Sequence, residues 1–254
     1  MRVLRVSSRR RFLFSLRGKS NVPGVTEQGG ASIRLVIFDM AGTTVHDGGE
    51  VPAAFIAALA DHDIHVTPER IASVRGASKR QAILELIPDR PDRIADRVQF
   101  RDRIYDTFRQ KLTDRYATDR VRAVTGSEDV FRWLRRRGVK VALNTGFDRD
   151  ITALIVNALG WDTSLVDAVV SGDDVVTGRP APDLIFRAME ATATTSLQSV
   201  AVVGDTTLDL EAGTNAGVRW VIGVTSGAHD RTRLEGAPHT HLLESVAQLP
   251  TLFG

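Results

Sequence analysis

The strongest constraint in this chain is a rhythm. Short apolar runs each end in a cluster of small, hydroxyl-bearing or charged residues. Residues 33–38 run into Asp39-Met40-Ala41-Gly42-Thr43-Thr44, and residues 139–144 into Thr145-Gly146. Val200–Gly204 runs into Asp205-Thr206-Thr207-Leu208-Asp209, and residues 167–171 and Trp220–Val224 form two further runs. Continuous apolar runs of this length read as strands buried on both faces. Helical patterns separate them. Residues 127–137 place Val130, Phe131 and Leu134 on one face, and residues 148–159 do the same with Ile151, Leu154, Ile155 and Ala158. Gly138 and Gly160 follow as C-terminal stops. Strands alternating with helices predict an α/β fold with a doubly wound, mostly parallel sheet.

Residues 48–124 break the rhythm and read as helices only, over 52–60, 68–74, 79–87 and a long segment near 92–115. The last carries Ile94, Val98, Tyr105, Phe108 and Leu112 at helical spacing. Inserted after the first strand, this block predicts a small helical domain over the C-terminal edge of the sheet, where open α/β sheets bind ligands. The expected division is a basic leader without a fold of its own over 1–30, a core over 31–47 and 125–254, and the helical domain over 48–124.

The chain has 254 residues, a formal charge of +2 and no Cys. The missing Cys excludes disulfides, thiolate zinc, iron–sulfur clusters and a Cys nucleophile. The basic charge is confined to the leader. Residues 1–30 hold seven basic side chains and one acid, a net +6, which leaves −4 on residues 31–254. A nucleic-acid footprint needs basic groups on a folded face, so no nucleic-acid partner is expected. The stretch 8–14 carries the arginines of a twin-arginine export motif but not the apolar stretch of about 7–15 residues that must follow. Gly18-Lys19-Ser20 lacks the first glycine and the strand of a P-loop. No apolar run is long enough to span a membrane. The expected location is the cytoplasm. The arginine runs 9–11 and 135–137 are expected to be solvated.

Four clusters carry chemistry. Asp39 stands at a strand end, followed by small residues that let backbone approach a ligand. Thr145 offers a hydroxyl at a second strand end. In Gly178-Arg179-Pro180-Ala181-Pro182, prolines flank a cation ahead of a helix. Asp205 and Asp209 are two carboxylates four residues apart. Each alone is compatible with a helix cap or a surface ion pair. Four in order, each at a strand end, point to one site. Hard carboxylate oxygens with no His or Cys nearby suit Mg²⁺. A nucleophilic carboxylate, a metal, a hydroxyl and a cation together are what phosphoryl transfer needs.

This order resembles the haloacid dehalogenase superfamily of Asp-nucleophile hydrolases over residues 33–245. The resemblance implies a Rossmann-like core, with the helical insert as its cap. It implies that Asp39 attacks phosphorus to form an aspartyl-phosphate. Asp39, the Ala41 carbonyl, Asp205 and Asp209 would hold Mg²⁺, and Thr145 and Arg179 would bind the phosphoryl oxygens. Gly42, Thr43, Arg75, Gly76 and Gly146 are the implied substrate-binding positions.

Ordinary phosphatases of the superfamily carry a second Asp two residues after the nucleophile, to protonate the leaving alkoxide. Here that position is Ala41, which moves no proton. The segment 38–45, with Gly178-Arg179-Pro180 and Gly204-Asp205-Thr206, resembles the phosphonoacetaldehyde hydrolase (phosphonatase) branch. There a cap lysine forms an imine with the substrate aldehyde, and the imine accepts the electrons of the breaking C–P bond. Lys79, in Gly76-Ala77-Ser78-Lys79, has the spacing of that lysine. Ser78 and Gln81 read as a capping box, placing Lys79 at a helix N-terminus near Arg75 and Arg80. The helix dipole and both arginines disfavour the ammonium. Arg75 departs from the branch, which carries Met there. Ala82 departs as well, where the branch carries a proton-shuttling His. His46, His62 and His65 are the candidate substitutes.

The leading expectation is a Mg²⁺-dependent hydrolase of phosphonoacetaldehyde or a related small phosphonate or phosphorylated carbonyl compound. The alternative is a phosphate-monoester phosphatase acting on phosphoglycolate-like metabolites, and third a non-catalytic regulatory module on the same fold. The partner is a small phosphorylated or phosphonate metabolite. The resemblance also implies a homodimer.

Overall fold

Each apolar run becomes a strand of one sheet in the computed structural model, which describes residues 32–88, 94–116 and 121–254. The basic leader, with its Arg9–Arg11 run, lies outside these residues, as does Asp92 at the expected start of the long helix. The strands are β1 (Leu35–Asp39), β2 (Lys140–Asn144), β3 (Ala168–Val170), β4 (Val200–Gly204), β5 (Trp220–Val224) and β6 (His241–Leu243). They run in the order β3-β2-β1-β4-β5-β6, and every pairing is parallel. β6 is an addition to the sequence reading. Its three residues are all half-buried, so no apolar run marks it.

The insert after β1 supplies α1 (Glu50–Ala60), α2 (Pro68–Ser73), α3 (Lys79–Leu86) and α4 (Ile94–Tyr116). The remaining helices are α5 (Ser127–Arg136), α6 (Arg149–Ala158), α7 (Asp183–Ala191), α8 (Thr207–Ala216), α9 (Arg231–Glu235) and α10 (Leu249–Phe253). Among the described residues, no helix is long and apolar enough to cross a membrane.

Two-residue periodicity divides the sheet into two faces. Val36, Phe38, Val141, Leu143, Ala201, Val203 and Ile222 join one buried cluster, with residues of α5, α6 and α10. Leu35, Ile37, Ala142, Val200, Val202 and Val221 join the other, with α7, α8 and α9. Phe131 of α5 stands 5.2 Å from Phe38 between ring centroids. Both faces are covered, which is why the strands carry no polar alternation.

The insert continues the first of these clusters. Phe55 of α1 stacks on Phe108 of α4 at 4.3 Å, and Ile83, Ile104 and Leu112 are buried around them. The two chain crossings into the insert lie side by side. The His46 amide donates to the Arg122 carbonyl at 2.8 Å, and the Val124 amide donates to the Thr44 carbonyl at 2.9 Å.

Two local expectations are corrected. Ser78 caps α3 by accepting from the Gln81 amide at 3.3 Å, but the Gln81 side chain donates to Glu85 at 3.0 Å instead of turning back. The capping box is therefore half made, because a helical i,i+4 partner competes for the Gln81 amide group. Arg135 is not simply solvated. It pairs with Asp167 at 2.5 Å and donates to the Thr163 carbonyl, tying α5 to the segment before β3.

Candidate active site

The order in which strands are added reverses between β1 and β4, and the crevice outside their C-terminal ends is where open α/β sheets bind ligands. Asp39 ends β1, and Asp205 directly follows β4. The loop after Asp39 turns tightly, with the Thr44 and Val45 amides both donating to the Met40 carbonyl. Gly42 has φ 94°, and a Cβ there would collide with the Asp205 carboxylate. A left-handed backbone and a close approach both require glycine here. Thr43 donates to Asp205 Oδ1 at 2.9 Å, and the Ala228 amide donates to Oδ2 at 2.6 Å. Gly42 and Thr43 thus contact Asp205 and do not line the cavity described below.

Asp209 lies one turn into α8. The amide and hydroxyl of Thr206 donate to its Oδ2 at 3.0 and 2.6 Å. The Thr206 hydroxyl in turn accepts from the Asp209 amide, which closes a capping box. This reciprocal cap fixes where the carboxylate points. Arg179 reaches across from the loop before α7. Its Nη1 is 2.7 Å from Asp39 Oδ1, its Nε is 2.9 Å from Asp209 Oδ1, and its Nη2 donates to the Asn144 side chain at 2.5 Å.

Oxygens of Asp39, Asp205 and Asp209 lie within 4.8 Å of one another, and all three residues are buried. Burial pushes the Asp39 carboxyl up to about 6, with Asp209 adding to the rise and Arg179 opposing it. Burial, then the Asp39 and Asp209 charges, push Asp205 well above the usual carboxylate range. Three carboxylates face one guanidinium, and all their free donors are hard oxygens. The set fits a divalent cation of the Mg²⁺ type.

The insert closes the site from above. The loop 76–78 rests on core loops at positions without side chains. A Cβ on Gly146 would stand 2.9 Å from the Ala77 carbonyl oxygen, and one on Gly76 would meet the Thr206 hydroxyl at 2.5 Å. Lys79, the first residue of α3, then points into a cavity of about 50 Å³. That cavity holds Asp39, Ala41, Arg75, Gly76, Thr145, Gly146, Arg179, Asp205 and Asp209 together. Lys79 Nζ lies 4.8 Å from the centroid of the Phe147 ring. Burial pulls the Lys79 amine down to about 8. Arg179 and Arg75 add to the fall, while Asp39 and Asp47 oppose it. Desolvation, absent from the sequence argument, is the largest cause. The Arg80 guanidinium lies 4.0 Å over the Tyr105 ring.

The sequence reading missed several participants. Val51, Phe55, Ile71 and Val74 form an apolar wall of the cavity, and Asp47 lines it too. Phe147 and Ala228, neighbours of the Thr145 and Asp205 clusters, have no chemical signature of their own. The three candidate histidines do not line the cavity. His46 and His65 are exposed, and His62 bonds Thr107 at 3.1 Å. The histidine near the site is His229, buried, whose Nδ1 accepts from the Thr207 amide at 3.1 Å.

On the underside of the insert, Tyr105 of α4 donates to Asp148 Oδ2 at 2.5 Å, and Arg109 of α4 pairs with Asp148 at 2.9 Å. Asp148 also caps α6, accepting from the Ile151 amide. This carboxylate joins insert and sheet a short distance from the cavity.

Comparisons with known proteins identify the family and the fold. A family model for haloacid dehalogenase-like hydrolases matches residues 33–217. The chain is 30% identical over 225 residues to a phosphonoacetaldehyde hydrolase of Latilactobacillus sakei subsp. sakei (strain 23K), covering 84% of this chain and 81% of that one. It is 28% identical over 210 residues to a phosphonoacetaldehyde hydrolase of Bacillus cereus (strain B4264), covering 78% of each. Its fold is similar to the crystal structure of a phosphonoacetaldehyde hydrolase-like protein from Oleispira antarctica, with a TM-score of 0.76 and 24% identity, over 94% of this chain and 95% of that one. A hydrolase from Pseudomonas syringae gives a TM-score of 0.75 at 24% identity, over 86% of this chain and 97% of that one. The chain belongs to the haloacid dehalogenase-like hydrolases and is similar to their phosphonoacetaldehyde hydrolase branch.

Proposed function

We propose that this hydrolase cleaves the C–P bond of a small phosphonate carrying a carbonyl group, with phosphonoacetaldehyde as the first candidate. The observation that carries the reading is a half-buried lysine in the same small cavity as the strand-end Asp39 and an alanine, Ala41, at the position where a proton donor would serve ester hydrolysis. In the neutral form Lys79 attacks the carbonyl carbon and, with uptake of one proton and loss of water, becomes an iminium. Asp39 then attacks phosphorus. The C–P bond breaks, and its electron pair flows into the iminium to leave an enamine. Water hydrolyses the aspartyl-phosphate. The enamine takes a proton on carbon and is hydrolysed, which frees Lys79 and the aldehyde product. No alkoxide leaves in this sequence, so Ala41 withholds nothing it needs.

Arg179 positions Asp39 and offers its charge to the phosphoryl oxygens, with Thr145 beside it. Asp39, Asp205, Asp209 and the Ala41 carbonyl would hold Mg²⁺, which supplies positive charge that lets an anionic substrate approach an anionic nucleophile. Arg75, Gly76 and Gly146 line the cavity around the bound substrate, while Gly42 and Thr43 hold Asp205 in place. A cap-to-cap homodimer belongs to the same reading, because Ile56 of α1 and Val98 of α4 expose large apolar side chains.

The test is phosphate release from phosphonoacetaldehyde with Mg²⁺, together with borohydride trapping at Lys79. Release and a substrate-derived adduct on the Lys79 peptide are expected, and Lys79→Ala should lose both. Release from phosphoglycolate-type esters with none from the phosphonate would replace this reading with a monoester phosphatase.

A further inference from the structure

Making an iminium moves protons as well as electrons. A lysine that starts as an ammonium carries three protons on nitrogen, and the iminium nitrogen keeps one. The other two leave with the carbonyl oxygen as water. A group beside the lysine must accept and return protons while the tetrahedral adduct exists. The cavity contains four carboxylates: Asp39, Asp47, Asp205 and Asp209. Three of them have other roles in the proposed reaction: Asp39 is its nucleophile, held by Arg179, and Asp205 and Asp209 are its metal carboxylates.

Asp47 is the remaining one. It lies on the crossing between β1 and α1 and faces the same cavity as Lys79 from the side of the insert. Its carboxylate is fixed at both oxygens. The Gly49 amide donates to Oδ1 at 3.0 Å, and Arg75 Nη2 donates to Oδ2 at 2.7 Å. Gly49 has φ 97°, a left-handed backbone that glycine tolerates, and this bends the chain back on the Asp47 side chain. A carboxylate offers about four lone-pair sites, so two donors leave room for a third. The Asp47 charge also acts on Lys79, working against the loss of its proton to burial.

We propose that Asp47 is the proton-transfer group that serves Lys79 while its imine forms, with Arg75 as its positioning residue. The inference rests on the imine reading given above. Asp47 first takes a proton from the Lys79 ammonium. The free amine adds to the carbonyl carbon, which forms the C–N bond and sends the C=O π pair to oxygen. Asp47 protonates that oxygen and then takes a proton from the adduct nitrogen. It gives this proton to the hydroxyl as the C–O bond breaks. Water leaves, the iminium keeps one N–H, and Asp47 is a carboxylate again.

The experiment uses full-length, Mg²⁺-loaded protein and compares wild type, Asp47→Asn and Asp47→Glu. Three readouts are taken: the single-turnover rate of borohydride trapping at Lys79 with phosphonoacetaldehyde, phosphate release from phosphonoacetaldehyde, and phosphate release from acetyl phosphate. The last needs Asp39 and the metal but neither an imine nor a proton donor. For Asp47→Asn, which keeps shape and the Gly49 contact, trapping should slow by about 10²-fold or more, with acetyl phosphate turnover within about twofold of wild type. Asp47→Glu should recover part of the trapping rate. Trapping at the wild-type rate in Asp47→Asn overturns the proposal. So does a parallel loss of acetyl phosphate turnover, because Asp47 would then be structural; Asp47→Glu repeats this comparison if Asp47→Asn does not fold. A wild type that turns over acetyl phosphate yet neither traps nor cleaves phosphonoacetaldehyde overturns the underlying imine reading instead.

Discussion

The guanidinium of Arg179 meets the carboxylate of Asp39 at 2.7 Å, with both side chains almost wholly buried. The same guanidinium holds Asp209 at 2.9 Å. One cation therefore sets the spacing of the proposed nucleophile and a proposed metal-site carboxylate that lie far apart in the chain.

Removing that cation leaves two buried carboxylates facing each other. Breaking a buried pair by deleting one partner is expected to destabilise by about 3–5 kcal/mol. Arg179→Met should lower the urea midpoint accordingly. Saturating Mg²⁺ should restore part of the loss, because an ion bound at the proposed site would neutralise the same carboxylates.

Mg²⁺ should also stabilise the wild type. Binding to the folded state alone adds about 2.7 kcal/mol at a hundredfold excess over Kd. Thermal melts with and without the ion measure this. Asp205→Asn should abolish the Mg²⁺-dependent shift, and a chelator should abolish phosphate release in the wild type.

Burial brings the Lys79 amine from 10.5 to about 8. About a tenth of it is then neutral at pH 7 and about half at pH 8. The trapping rate at Lys79 should climb with pH and level off above about 8. The sign for stability follows from linkage. Between pH 8 and 10.5 the unfolded chain holds a proton that the folded chain has released, so stability rises with pH there. Below pH 8 the buried ammonium costs its full penalty, about 3 kcal/mol at about 1.4 kcal/mol per pH unit. Lys79→Met should therefore be inactive yet more stable than wild type at pH 7. The difference should shrink towards pH 10.5 in parallel urea titrations.

Ala41 stands where an acid would serve ester hydrolysis. Ala41→Asp should raise the ratio of phosphate-monoester to phosphonoacetaldehyde turnover by about tenfold or more, since a positioned acid contributes roughly 10²–10⁴-fold. An unchanged ratio in paired assays would show that position 41 does not set the choice of bond.

Tyr105 donates to Asp148 across the seam between insert and sheet. Tyr105→Phe removes one buried hydrogen bond to a charged group, worth about 1.5–3 kcal/mol. Hydrogen exchange in α4 should speed up more than exchange in β1 or β4.

The parts that were legible in the sequence were those whose signal is local. β4 and β5 are apolar on every residue, and their sequence bounds match the structure. Asp39, Thr145 and Asp205 were legible because strand ends place them, Asp209 because it follows Asp205 by four residues, and Arg179 because prolines flank it ahead of a helix; the cavity gathers all five. The Lys79 helix start was legible from Ser78. The rest depends on chain segments meeting across space. Asp47 and Arg75 are 28 residues apart, and nothing near either announces the other. Phe147 under the Lys79 amine and the Ala228 amide on Asp205 are likewise contacts between distant segments. Desolvation of Lys79, the main influence on its amine, exists only once the insert is seated.

The loop 76–78 meets the core at Gly146, Gly178 and Thr206, largely through positions with no side chain to vary. A joint of that kind offers random substitution almost nothing to adjust. The walls at Val51, Phe55, Ile71 and Val74 are different, because each can exchange one apolar shape for another without disturbing the joint. A directed-evolution library confined to those four walls should yield new substrate ranges at high survival, whereas the same diversity spent on Gly76 or Gly146 should yield mostly inactive clones.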